Sequence, residues 1–178
     1  GSGVYEGRTL GYGWDEVGTG YPDSPHTSEA KASCSALWNV GGRLFASTDA
    51  GMIGLDGTGS WQPVEGIVDP TGIVQNSEGW WALTPDGLSL SEDGWSFGLT
   101  VPAAAGATHL LVHDDQPTVL LDGVALVGMD ETPLFIDGTD GESLLSIHVQ
   151  DGVLRGVTGA GAYLAVVAST ASLSLPSA

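Results

Sequence analysis

The chain has 178 residues, with 28 glycines and 9 prolines, yet 42% of it is hydrophobic. Disordered chains are poorer in apolar residues, so the composition describes a folded domain rich in turns. Four basic residues oppose 22 acidic ones for a net charge of −18, which argues against nucleic acid and anionic membrane surfaces as partners, because nothing is available to neutralise phosphates.

Most apolar runs are four to six residues long and end at Gly, Asp or Pro, the pattern of many short strands. No run of 18 apolar residues occurs, so no membrane insertion is expected. Cys34 is the only cysteine, which leaves no internal disulfide.

Residues 1–17, "GSGVYEGRTLGYGWDEV", match the second half of a unit that recurs later, with Gly3 in the place of Gly51 and Trp14 in the place of Trp61 and Phe97. Residues 18–34 are polar, hold two prolines and read as a long connecting loop. Four units follow, over 35–71, 72–107, 108–143 and 144–178. Each holds an apolar run ("SALWNV", "GIVQN", "HLLVH", "LLSIHV") and then a second run that ends at Gly51, Gly87, Gly123 or Gly161. These glycines are spaced by 36, 36 and 38 residues. A third and a fourth run complete each unit. Asp86-Gly87 and Asp122-Gly123 carry hairpin chemistry, since glycine accepts positive φ.

The pattern predicts an all-β fold: a β-propeller or partial propeller of four-stranded antiparallel blades, with a repeat of about 36 residues. The opening half-unit predicts one domain that is a piece of a larger propeller, or one completed by another chain or copy. The alternative is a closed ring of four, completed by the opening half-blade.

Candidate chemistry is sparse. Trp80 and Trp81 are adjacent on a strand, so one points to each sheet face; Trp81 is the candidate stacking platform for a ligand, against a plainer role in packing. His113, Asp114 and Asp115 invite an acid–base or metal reading, against an ordinary polar turn, and His148 lies at a similar point of the next unit. His113 and Asp115 are the ligand-binding candidates there. Asp137, Asp140 and Glu142, in "DGTDGE", form the best acidic loop for Ca²⁺, although the twelve-residue calcium-loop pattern is incomplete. No other cofactor is expected, and no catalytic residue is assigned. Zinc-protease, nucleophile-elbow and phosphate-loop motifs are missing from the sequence.

"SEDGWSF", residues 91–97, resembles the Asp-box, Ser/Thr-x-Asp-x-Gly-x-Thr-Trp, of sialidase-type (BNR-like) propellers. Ser91, Asp93 and Gly94 match, Ser96 stands for Thr and Phe97 for Trp, and one residue is missing between Asp93 and Gly94. "GLDGTGSW" keeps an Asp, a Gly and a Trp. The resemblance implies a turn between the third and fourth strands of a blade, in which the Asp accepts backbone N–H bonds and the aromatic tucks between sheets. A sialidase would also need a carboxylate clamp of three arginines. Arg8, Arg43 and Arg155 are all that the chain holds, and Arg8 and Arg155 stand at different points of their units.

The function expected is therefore a non-catalytic, exported propeller that serves as a scaffold or protein-binding module in a larger assembly, placed outside the cell, on its surface or in a periplasm. Its partner would be a protein or further copies of the chain. The alternatives are a carbohydrate-binding or glycoside-hydrolysing Asp-box propeller, and an assembly or stability factor of a membrane complex.

Overall fold

The computed structural model describes residues 5–7, 14–16, 18–26, 31–127, 132–134 and 143–164. The Ca²⁺ candidates Asp137, Asp140 and Glu142 lie outside them. The described residues are all-β apart from one 3-10 turn, Pro102–Ala104.

A two-stranded ribbon, β1 (Tyr5–Gly7) and β2 (Trp14–Glu16), comes first. Three four-stranded sheets follow: β3 (Cys34–Val40), β4 (Arg43–Thr48), β5 (Gly51–Leu55) and β6 (Trp61–Pro63); β7 (Gly72–Asn76), β8 (Gly79–Thr84), β9 (Gly87–Ser91) and β10 (Gly98–Val101); β11 (His109–His113), β12 (Gln116–Leu121), β13 (Val124–Val127) and β14 (Thr132–Leu134). The last sheet shows three strands among the described residues: β15 (Leu144–Gln150), β16 (Val153–Thr158) and β17 (Gly161–Leu164). Each sheet is an antiparallel meander in chain order. The first strands of successive sheets, β3, β7, β11 and β15, lie beside one another in that order.

The sheets are stacked through three apolar layers. Phe45 and Met52 of the first full sheet meet Ile73 and Ala82 of the second, together with Val64, Ile67 and Phe97. Trp81, Leu83 and Leu88 of the second meet Val119 of the third. Leu120 and Ala125 of the third meet Leu144, Ile147 and Leu154 of the fourth. Residues in β8 serve two layers because successive side chains alternate: Trp80 and Ala82 belong to the first, Trp81 and Leu83 to the second. This is why "GWWALT" is nearly all apolar. The far face of the first full sheet, with Ala46, Ile53 and Trp61, is covered by Tyr21 and Ala32 of the connecting loop. Tyr21 meets Trp61 edge-to-face, with ring centroids 5.7 Å apart.

The hairpins obey turn chemistry. Gly41-Gly42, Asp114-Asp115, Asp122-Gly123 and Asp151-Gly152 all have positive φ at both positions, the signature of type I′ turns. Between the second and third strands the closing pairs are Thr48 with Gly51, Thr84 with Gly87, Leu121 with Val124, and Thr158 with Gly161. The structural repeat therefore steps by 36, 37 and 37 residues. This corrects the phase assigned to Gly123, which sits inside its turn, whereas Gly51, Gly87 and Gly161 each follow theirs. Gly87 is the first residue of β9, with φ of 127°. A Cβ there would stand 2.4 Å from the Val101 carbonyl oxygen, so only glycine fits.

Candidate functional site

The turns between first and second strands and those between third and fourth strands fall at the same end of each meander, and most of the candidate residues gather there. In residues 91–97, Asp93 Oδ1 accepts three hydrogen bonds: from Ser91 Oγ at 2.9 Å, Trp95 N at 2.7 Å and Ser96 N at 3.1 Å. Ser91 Oγ in turn accepts the Gly94 N–H at 2.9 Å. The backbone N–H groups of Trp95 and then Ser96, followed by the Ser91 hydroxyl, hold the Asp93 carboxyl below the usual carboxylate range. Gly94 has φ of 75°, and a Cβ on it would come within 2.3 Å of Arg43 Nη1. Phe97 is buried in the layer between the first and second full sheets.

This turn also fastens two sheets together. Glu65 N donates to Trp95 O at 2.8 Å, and Phe97 N donates to Glu65 O at 3.0 Å, a parallel bridge between Glu65 and Ser96. Arg43 Nη1 donates to Asp93 O at 2.7 Å. Its guanidinium carbon lies 4.8 Å from the Trp80 ring centroid and 4.5 Å from that of Trp95. Trp95 itself leans over Gly54 of β5.

"GLDGTGSW" repeats the device one unit earlier. Asp56 Oδ1 accepts from Thr58 N at 2.8 Å, Thr58 Oγ1 at 2.6 Å and Ser60 N at 2.9 Å. The Thr58 hydroxyl and then the Ser60 N–H lower its pKa to about 2. Thr19 bridges Ser60 in parallel, as Glu65 bridges Ser96: Thr19 N donates to Gly59 O and Trp61 N to Thr19 O, each at 2.8 Å.

Two of the three ligand candidates are joined by Asn76, which the sequence offers as a turn residue and not as a site residue. Trp81 has no exposed surface, and its indole Nε1 donates to Asn76 Oδ1 at 3.1 Å. Asn76 Nδ2 donates to the Asp115 carbonyl at 2.9 Å. The Asp115 carboxylate accepts Ser77 N at 3.0 Å and the Ser77 hydroxyl. The Ser77 hydroxyl and then its N–H lower the Asp115 pKa. Asp115 is thus committed to holding the β11–β12 turn against the β7–β8 turn, and no face of the Trp81 ring is open to a ligand. Asn76 also accepts the N–H groups of Glu78 and Gly79, an Asx turn.

His113 is buried, and its Nδ1 lies 3.8 Å from Asp114 Oδ2. By strand alternation it shares a face of β11 with Leu111, which packs toward the last sheet. His148 pairs across the strands with Arg155 and is exposed, on the opposite face of β15 from the buried Ile147. The two histidines therefore do not converge. Among the described residues no group of three or more His, Cys, Asp or Glu comes together to hold a metal. No helix among them is long and apolar enough to cross a membrane.

No protein family matches the chain, and no curated protein matches it significantly.

Proposed function

We propose that the chain is a non-catalytic β-propeller module, or part of one, that acts outside the cell as a scaffold or protein-binding component of a larger assembly. The observation that carries this reading is the use made of the candidate polar residues. Asp56, Asp93 and Asp115 are each spent on backbone and hydroxyl donors within or between turns, and Trp81 is spent on packing. Such groups build a scaffold; a general acid, a nucleophile or a sugar platform must instead meet the substrate.

The propeller reading is supported by the repeated meanders, by the side-by-side order of β3, β7, β11 and β15, and by the parallel bridges at the third-to-fourth-strand turns, of Ser96 to Glu65 after the preceding sheet and of Ser60 to Thr19 of the connecting loop. The likeness of residues 91–97 to an Asp-box agrees with this, since the motif sits between β9 and β10. The acidic, lysine-poor composition suits an exported protein. Native mass measurement and light scattering at micromolar concentration test the reading: the chain should form a defined complex with further copies or with a protein partner. A stable monomer that takes no partner, or turnover of a glycoside panel, would overturn it.

A further inference from the structure

The outer edge of the second full sheet differs from the edges of its neighbours. β6 carries Pro63 and β14 carries Pro133, and proline has no N–H to offer a further strand. β10 contains no proline, and Gly98, Leu99 and Thr100 are exposed, Leu99 by 53%. β10 pairs Gly98 with Leu90, Leu99 with Ser89 and Val101 with Leu88, so Thr100 is passed over at a bulge. The bulge limits any added strand to a short stretch. The Gly98 carbonyl accepts the Thr100 hydroxyl at 3.0 Å and keeps a second lone pair.

A shallow groove runs along this edge. Leu90, Leu99 and Thr100 line it, and Glu92, Asp93 and Ser96 stand at its turn end. Asp93 gives Oδ1 to the turn, while Oδ2 takes none of those three bonds. Glu92 is exposed. Leu90 shares a face with Gly98, which has no side chain to cover it, so the groove offers the Leu90 side chain, an edge with no further strand among the described residues, and two carboxylates.

We propose that β10 is a docking edge for an extended peptide segment of a partner protein, alternating apolar and lysine or arginine residues, which adds as a fifth strand. Its main chain pairs with residues 98–100, its apolar side chains rest on Leu90 beside Gly98, and its cation meets Glu92 and Asp93. A second copy of this chain does not fit the role. Its four basic residues, Arg8, Lys31, Arg43 and Arg155, stand singly; Lys31 is engaged by the Tyr21 carbonyl and Asp23, and two copies at −18 repel. The proposal rests on the reading of the chain as a protein-binding module.

The test is amide chemical-shift mapping on the full chain, titrated with a synthetic peptide pool that alternates Lys with Val, Ile, Leu, Thr or Tyr. A pool with Glu in place of Lys is the control. Saturable shifts are expected at residues 91–100, with the Glu pool at least about tenfold weaker. Thr100→Pro removes an N–H that lies outside the β9 pairing, and Glu92→Lys reverses an exposed charge. Each should weaken binding about tenfold, while the thermal midpoint shows that the variant is folded. Absence of saturable shifts at 98–100, or unchanged affinity in Glu92→Lys, overturns the proposal. If the native-mass experiment finds a partner complex while β10 stays silent, the edge assignment fails and the module reading survives. If both are silent, both fail.

Discussion

Asp93 and Asp56 do in a turn what an N-cap carboxylate does at a helix: one oxygen gathers N–H groups that would otherwise have no partner. Because these bonds favour the ionised form, both folded-state pKa values are depressed. The stability the carboxylates add is then complete above the ordinary carboxylate range near pH 4 and is lost as pH falls through the folded values. For Asp56 the window runs from about pH 4 down to about pH 2. A series of thermal melts should show the midpoint falling across it, and Asp56→Asn should lessen that fall, since the amide oxygen still accepts but no longer titrates, while Asp93 and Asp115 keep their share. Asn76 works at the same scale. Asn76→Ala strands the buried Trp81 indole N–H and should cost about 1–3 kcal/mol in urea unfolding. A result near zero would mean that water takes over the bond.

Among the elements, β8 and the start of β4 matter most. Arg43 lies between the indoles of Trp80 and Trp95 and also reaches the Asp93 carbonyl, so one side chain from β4 fixes both the second strand and the third-to-fourth-strand turn of the next sheet. Arg43→Lys keeps the charge but loses the planar stacking. It should cost about 1 kcal/mol, with the loss seen first in the tryptophan signals of near-ultraviolet circular dichroism. Much of this was legible in the sequence. The Gly, Asp and Pro punctuation located nearly every hairpin, and alternation placed Trp80 and Trp81 on opposite faces. Three things were not. Gly123 resembles the other unit-ending glycines, yet it lies inside a type I′ turn, which shifts the phase by one residue; a glycine in the sequence does not reveal which turn position it takes. The chain from Trp81 through Asn76 to Asp115 was also hidden, because it joins residues 39 apart through a carbonyl that no motif marks. Arg43 appeared in the sequence only as one of too few arginines for a sialidase clamp, and the two indoles around it come from the next unit.

For the whole molecule, each full sheet packs mainly on its neighbours in sequence. The second and third are covered on both faces, whereas the last shows one apolar layer among the described residues. In such arrays stability is a sum of unit and nearest-neighbour contributions. Hydrogen exchange should therefore be slowest in β8 and β12 and faster in β15 and β16; uniform rates across the sheets would argue for a single cooperative block. The bridges made by the third-to-fourth-strand turns also have a direction. In each, a turn made later in the chain closes onto residues made earlier, as Asp93 does on Arg43, 50 residues before it. During synthesis the first full sheet therefore waits, with its Phe45 face only partly covered by Ile73 and Ala82, until the Asp93 turn and Phe97 emerge. At roughly 5–20 residues per second that wait lasts several seconds, so the interval before each turn closes is when the nascent chain is most open to mispairing, and the order of assembly follows the order of translation.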